Sequence, residues 1–200
     1  MLRRLFQITT GALAGLAVVG LASLLGWLPG GSSGDADPYL LPGPFPAPDL
    51  RMTSHSGEPF ELSASGGPAV VFFGYTHCPD VCPLTLANLR RAVDSLGDTS
   101  ASVRVLFVTV DPARDTRERL RDYLAPFQPG FTGLTGAEAE VSAAASDWGI
   151  FRDVPGGAEP TVDHTARSFV VDGTGRVRAT FPPDTDSDTM SRTLRSLFGP

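Results

Sequence analysis

Lysine is absent from this chain, and cysteine, methionine and histidine are scarce. All 16 basic residues are arginines, and 22 acidic residues give a formal net charge of −6. An acidic chain repels a phosphate backbone, which argues against a nucleic-acid partner. Two cysteines are too few for a disulfide framework, which uses more cysteines in a smaller chain. A single close pair, Cys78 and Cys82, is instead typical of a redox-active or metal-binding site.

Charge is also missing from a long segment near the N-terminus. Residues 5–28 contain no charged side chain and are mostly apolar, which is the length a membrane-spanning helix needs. Arg3 and Arg4 precede this run and predict that the N-terminus stays in the cytoplasm. We interpret residues 1–28 as an uncleaved single-pass anchor in the cytoplasmic membrane, with a cleaved signal sequence as the alternative. The remainder is then expected on the extracytoplasmic side, in the periplasm or outside.

A segment rich in glycine, serine and proline follows the apolar run. Residues 29–34 read Pro-Gly-Gly-Ser-Ser-Gly, and prolines recur at every second position from Pro42 to Pro48. The first part favours a flexible chain and the second a stiffer, extended one. Residues 29–48 are therefore predicted to be a linker, and residues 49–200 a single globular domain of ordinary size.

Hydrophobic patterns in residues 49–200 predict alternating strands and helices. The predicted strands are 50–52 and 60–62 as a hairpin, 69–73, 103–110, and 166–171 and 177–181 joined by the turn 172–175. The predicted helices are 79–96, 116–124, 137–148 and 187–197. Capping-box spacing places Asp115 and Thr135 at the start of two of them.

The order of these elements predicts an α/β fold. A strand, a helix and a second strand imply a parallel pair joined by a right-handed crossover. The later hairpin adds an antiparallel strand. This is a thioredoxin-like arrangement with an N-terminal hairpin and a C-terminal hairpin plus helix, and the cysteine pair lies between the first core strand and its helix.

The position of the cysteines predicts reactive thiols. Pro79 suits the first position of a helix, which puts Cys78 at the helix N-terminus, where the dipole favours a thiolate. Cys82 lies four residues on, so both sulfurs are expected on one face and can hold one soft ion or close a disulfide. Thioredoxin-type redox motifs have two intervening residues, and this pair has three. The spacing favours metal capture, and an inert disulfide or two small buried side chains remains the plain structural alternative.

A metal site built on two thiolates needs a further ligand. His164 precedes the strand 166–171 in a loop that can reach the cysteines, with Asp163 beside it as an outer-shell group. By its position alone, His164 fits a surface histidine as well. His77 and His55 are expected to be surface or turn residues. Two thiolates with an imidazole suit copper better than zinc. Met52 and Met190 lie far apart in the sequence, which argues against a methionine-based copper carrier.

Several segments resemble the Sco/SenC family of copper-binding, thioredoxin-like proteins from about Leu50 to the end of the chain. They are Phe72-Phe73-Gly74-Tyr75-Thr76-His77-Cys78-Pro79-Asp80-Val81-Cys82-Pro83, Val110-Asp111-Pro112-Ala113-Arg114-Asp115-Thr116, Gly133-Leu134-Thr135-Gly136 and Asp163-His164.

The resemblance implies that Cys78, Cys82 and His164 are the ligands of one copper ion, Cu(I) or Cu(II). It also implies that the protein is a metallochaperone that delivers copper to the binuclear site of apo cytochrome c oxidase subunit II, or reduces the cysteines of that site. An upstream copper donor or a thiol reductant is a further expected partner. In a second hypothesis, Cys78 and Cys82 are the redox pair of a thiol–disulfide oxidoreductase, with Cys78 attacking and Cys82 resolving. A third is a peroxide-reducing enzyme on the same fold.

Overall fold

A computed structural model describes residues 37–127, 129–153 and 163–199. Its strands are β1 (Leu40–Pro46), β2 (Arg51–Ser54), β3 (Pro59–Glu61), β4 (Ala69–Gly74), β5 (Arg104–Thr109), β6 (Phe131–Thr135), β7 (Arg152–Asp153), β8 (Asp163–His164), β9 (Ser168–Val171) and β10 (Arg176–Phe181). Its α-helices are α1 (Leu62–Ser65), α2 (Val81–Asp94), α3 (Arg117–Leu124), α4 (Glu138–Asp147) and α5 (Ser187–Phe198), with 3₁₀ turns at Gly97–Ser102 and Ala125–Phe127.

Eight of these strands form one mixed sheet in the order β1-β10-β9-β4-β5-β6-β2-β3. The central pair, β4 and β5, is parallel and in register from Ala69 opposite Arg104 to Gly74 opposite Thr109. Helix α2 makes the crossover between them, as the sequence predicts. Strand β9 pairs antiparallel with the other side of β4. The cysteine pair therefore follows a central strand and lies at the carboxyl-terminal ends of the parallel strands β4 and β5.

The sheet separates two hydrophobic cores. Alternate residues of β4 enter opposite faces, with Val71 and Phe73 in one core and Val70 and Phe72 in the other. Helix α4 covers the first face, and helices α2, α3 and α5 cover the second. All six residues of β4 are buried, as expected for a strand covered on both sides. Met52 and Met190 lie in different cores.

Strand β1 differs from the prediction. Leu40–Pro46 falls in the segment interpreted as a linker, yet it pairs antiparallel with β10. Its composition misled the prediction because proline is rare inside sheets. Strand β1 is at the edge, however, so one of its sides makes no ladder of hydrogen bonds and tolerates proline there. The described part of the domain therefore begins before residue 49, with a proline-rich strand.

Three further details correct the sequence prediction. Strand β6 was not expected, and it lies parallel to β5. Thr116, not Asp115, caps α3 by accepting a hydrogen bond from the Arg119 amide at 3.2 Å. Thr135 ends β6 and does not cap α4, where the Glu140 carboxylate instead accepts from the Ala137 amide at 2.7 Å.

The predicted membrane anchor at residues 1–28 lies outside the described residues. Within the ranges that are described, no helix has the length and hydrophobicity needed to cross a membrane.

Candidate metal centre

The turn between β4 and α2 carries both cysteines. Helix α2 begins at Val81, so the prediction that Pro79 opens it is wrong, and Cys78 lies in the turn before the helix. The Cys78 amide donates to the Tyr75 carbonyl at 3.2 Å, which closes this turn. Pro83 falls in the first helical turn, where backbone amides have no hydrogen-bond partner within the helix. The proline therefore removes no hydrogen bond from the helix.

The two thiols are free and have unequal surroundings. Cys78 is half-buried, whereas Cys82 is 0% exposed and belongs to the core beneath α2. The Cys82 thiol hydrogen-bonds to the Cys78 sulfur, and the Cys82 amide donates to that sulfur at 3.4 Å. The thiol hydrogen bond is the main reason that the pKa of Cys78 falls from 9.0 to about 5. The same hydrogen bond and burial raise the pKa of Cys82. Cys78 is therefore the more acidic thiol of the coupled pair, and Cys82 the less acidic one.

Gly74, the last residue of β4, leaves room for Cys82. A Cβ atom at Gly74 would lie 2.8 Å from Phe107 Cε2 and 2.9 Å from Cys82 Sγ. Both distances are shorter than a normal contact between such atoms. The side chains of Phe107 and Cys82 therefore occupy the space that any other residue at position 74 would need.

We expect Gly74→Ala to destabilise the fold by about 1–3 kcal/mol, because overpacking a core displaces well-packed side chains. Thermal or denaturant unfolding measures this loss. The matched control is Gly43→Ala in β1, where a new Cβ would meet nothing within 4 Å. Equal stability of the two variants would show that the Gly74 site relaxes freely.

His164 lies near the cysteine turn. Strand β8 pairs with β7, which places His164 opposite Arg152. Its ring meets the ring of Tyr75 edge to face at a centroid distance of 5.7 Å. The charge of His164 is the smallest of the causes that change the pKa of Cys78, and it lowers that pKa. The fold thus places the ring of His164 against Tyr75, three residues before Cys78 in the sequence.

The described side chains are not arranged as a finished metal site. Within the described ranges, no group of three or more His, Cys, Asp or Glu side chains is placed to hold a metal ion. The other two histidines have separate contacts. His55 accepts from the Gly133 amide at 2.8 Å, and burial lowers its pKa. His77 is exposed and lies 3.3 Å from the Thr76 hydroxyl.

A buried polar network under the turn escaped the sequence prediction. Asp115 is fully buried and accepts hydrogen bonds from Thr76 and Thr109, and burial raises its pKa. Asp111 is buried and pairs with Arg114, whose guanidinium lies 5.9 Å from the centroid of the Tyr75 ring. Both acids belong to the segment 110–116, and the Thr76 partner of Asp115 lies 39 residues away in the sequence.

Exposed apolar side chains surround the cysteine turn and the His164 strand. Among the described residues, four large hydrophobic side chains are exposed: Phe45 at 41%, Val81 at 38%, Leu84 at 51% and Phe151 at 63%. Val81 and Leu84 are in the first turn of α2, beside Cys82. The Phe151 carbonyl accepts from the Thr165 amide at 3.0 Å, next to His164. Phe45 lies opposite Val177, at the other end of the sheet.

Comparison with protein families decides the relationship. The model of the family described as SCO1/SenC matches residues 45–199, which is more than half of the chain. The chain belongs to the SCO1/SenC family. Protein SCO2 of Saccharomyces cerevisiae, a mitochondrial protein, is 33% identical over 142 residues, which cover 68% of this chain and 46% of that protein. The chain thus spans less than half of the length of this relative.

Solved structures of Sco proteins share the fold. The apo Sco1 protein from Thermus thermophilus has a TM-score of 0.72 and 38% identity, covering 79% of this chain and 94% of that one. Bradyrhizobium japonicum ScoI, solved with copper bound, has a TM-score of 0.69 and 29% identity, covering 76% and 99% of the two chains. These likenesses confirm the predicted thioredoxin-like α/β class.

Proposed function

We propose that this protein binds one copper ion through Cys78, Cys82 and His164 and delivers it to an acceptor protein. The observation that carries this proposal is the cysteine pair, in which one thiol has its pKa lowered to about 5 and lies beside a second sulfur and near His164. Copper is the cargo of this function. Its ligands here are two soft sulfurs, which select Cu(I), and an imidazole, which also suits Cu(II).

The donor chemistry fits a transferable ion. Two thiolates and one imidazole leave a copper ion with few protein ligands, and a partner can add its own. The pKa of Cys78 makes its sulfur available as a thiolate near neutral pH. The pKa of Cys82 is raised, so copper must displace its proton, and metal binding is expected to release protons. A relative, Bradyrhizobium japonicum ScoI, has been solved with copper bound, which supports copper as the ion.

We further propose apo cytochrome c oxidase subunit II as the acceptor, with its binuclear copper site as the destination. This follows from the family resemblance. The exposed side chains of Val81, Leu84 and Phe151 support a protein partner, because apolar residues beside the ligands favour contact with another protein surface. In this proposal residues 1–28 hold the domain at the cytoplasmic membrane, on its periplasmic or outer side.

A second candidate function is thiol–disulfide exchange, and the unequal thiols favour it. The Cys78 thiolate would attack a disulfide of the partner and form a mixed disulfide, with release of one partner thiolate. The Cys82 thiol would then lose its proton and displace the second partner sulfur. The products are a Cys78–Cys82 disulfide and a reduced partner, so the two electrons come from this protein. A buried resolving thiol beside a more acidic thiol that is only half-buried suits such a step.

Copper binding by the soluble fragment from Asp35 tests the proposal. The reduced protein, held without oxygen, is expected to bind one copper per chain. Loss of an outer-shell partner of a metal ligand lowers metal affinity by about 10–100-fold. His164→Ala removes a proposed ligand itself, so the expected loss of copper affinity is at least as large. The measurement is competition with a coloured Cu(I) chelator.

His55→Ala is the matched control, because it also removes a histidine, and the His55 ring accepts a hydrogen bond from the Gly133 amide of β6. It should keep the wild-type affinity. If His164→Ala binds copper as the wild type does, the ligand assignment is wrong. If the wild type binds no stoichiometric copper but both thiols still exchange with disulfides, thiol–disulfide exchange becomes the preferred function.

A further inference from the structure

The carboxylate of Asp115 is the most completely engaged acid beneath the cysteine turn. Its side chain is fully buried. One oxygen accepts from the Thr76 hydroxyl at 2.6 Å, and the other accepts from the Thr109 hydroxyl at 2.7 Å. The Thr76 amide donates to the same carboxylate, at 3.1 Å to the nearer oxygen. Hydrogen bonds to a buried charge are stronger than neutral ones, so these contacts hold their donors firmly.

The two threonines belong to different parts of the fold. Thr109 is the last residue of β5, inside the parallel sheet. Thr76 lies past the end of β4, two residues before Cys78, and next to Tyr75, whose carbonyl accepts from the Cys78 amide at 3.2 Å. Asp115 therefore joins a fixed strand to the turn that carries the half-buried cysteine.

On its solvent-exposed side, the cysteine turn is held mainly by the contacts of Thr76. Beyond Thr76, residues 77, 79 and 80 are exposed. The Thr76 hydroxyl also receives a hydrogen bond from Arg119 Nε at 3.3 Å, so it is the centre of the polar contacts on this side of the turn. A threonine hydroxyl can donate once, and this one donates to Asp115.

We propose that Asp115 is a positioning residue that acts through Thr76 to hold the Cys78 sulfur at the distance from Cys82 that copper binding requires. The inference rests on the proposed copper function and adds to it a residue outside the three ligands. In this role the contact of Asp115 with Thr109 provides the anchor, and its contact with Thr76 transmits the position to the cysteine turn.

Two matched valine variants separate this role from ordinary stability. Thr76→Val and Thr109→Val each remove one hydroxyl that donates to the Asp115 carboxylate. The two hydrogen bonds have similar lengths, and valine has nearly the shape of threonine. Thr76→Ser keeps the hydroxyl at the turn and serves as the conservative rescue. Asp115→Asn removes the negative charge and replaces one of the two acceptor oxygens by a donor NH2 group, while keeping the shape. All four variants are made in the fragment from Asp35, and thermal unfolding records whether each folds.

Two readouts report geometry at the cysteines. The first readout uses copper: the affinity for Cu(I) is measured, and absorption and electron paramagnetic resonance spectra are recorded for the Cu(II) form. The second needs no metal and is the equilibrium constant for forming the Cys78–Cys82 disulfide against dithiothreitol, because disulfide formation is sensitive to the separation of the two sulfurs.

Thr76→Val and Asp115→Asn are expected to lower copper affinity by about 10–100-fold, the range typical of outer-shell partners, and to change the Cu(II) spectra. Both should also lower the disulfide equilibrium constant. Thr76→Ser should keep wild-type values in both assays. Thr109→Val should have a smaller effect than Thr76→Val, because the backbone of Asp115 stays held by the Asp111 carbonyl and the Thr135 hydroxyl. Equal effects of the two valine variants, or no effect of Thr76→Val, would overturn the positioning role. If the wild type binds no copper, the proposed function fails, and the disulfide constants still decide the role of Asp115.

Discussion

Replacing Cys78 by serine is expected to reduce the affinity for Cu(I) by more than about 100-fold, beyond the loss that an outer-shell change produces. Copper(I) selects soft thiolate ligands, and a serine hydroxyl is hard and stays protonated near neutral pH. Cys78 is the sulfur with the lowered pKa, so it is the donor most ready to bind before any proton is lost. Competition with a Cu(I) chelator under anaerobic conditions measures the change.

The control is the stability of the same variant. Cys78 is half-buried, so serine is expected to fit its place and leave thermal unfolding close to that of the wild type. Cys82→Ser should lose copper as well, but it also places a hydroxyl in the core, where Cys82 is 0% exposed. Undiminished copper binding in Cys78→Ser would mean that the ion is held elsewhere, and copper delivery from this turn would no longer be tenable.

Alkylation of Cys78 by iodoacetamide is expected to follow an acidic titration. Because the pKa of Cys78 is lowered to about 5, the thiolate persists at lower pH, and the rate should rise through about pH 5 and level off above pH 6. At pH 6 the reaction should be about tenfold faster than that of a free thiol with a pKa of 8.5–9. The greater thiolate fraction outweighs the lower nucleophilicity of an acidic thiol.

The second cysteine provides the internal reference. Cys82 is buried and its pKa is raised, so at neutral pH one label per chain is expected, and Cys78→Ser should remove the fast reaction. Mass spectrometry after a short exposure counts the labels. A rate that keeps rising towards pH 9 would show that Cys78 is an ordinary thiol and would weaken both proposed functions.

The centre of the fold was predictable because its signals are local. The apolar run before Gly74 indicates a buried strand, and the spacing of Leu86, Leu89 and Val93 indicates the helix that follows. Strand β6 was missed because it has only five residues and includes a glycine and two threonines. Its stability comes from pairing with β5, and a pairing between distant segments leaves no periodic signal in either of them.

The candidate site was predictable to different degrees. The cysteine pair is a local motif, and its chemistry followed from spacing and neighbours. His164 was named as a ligand only through the family resemblance, since a single histidine before a strand also fits a plain surface position. Asp115 was interpreted as a helix cap because the spacing to Glu118 allows it. Its true partner Thr76 is 39 residues away, and no sequence pattern reports a contact of that kind.

Under the proposed function, the unequal burial of the two sulfurs would give the hand-over of copper an order. An incoming donor atom can approach Cys78, which reaches the surface, but it cannot reach Cys82, which is 0% exposed. Exchange of bonds would therefore start on the Cys78 side, and the bond to Cys82 would be the last to break when the ion leaves. An ion half-way between two proteins would still be tied to the interior of this one, so it would not escape into water during transfer.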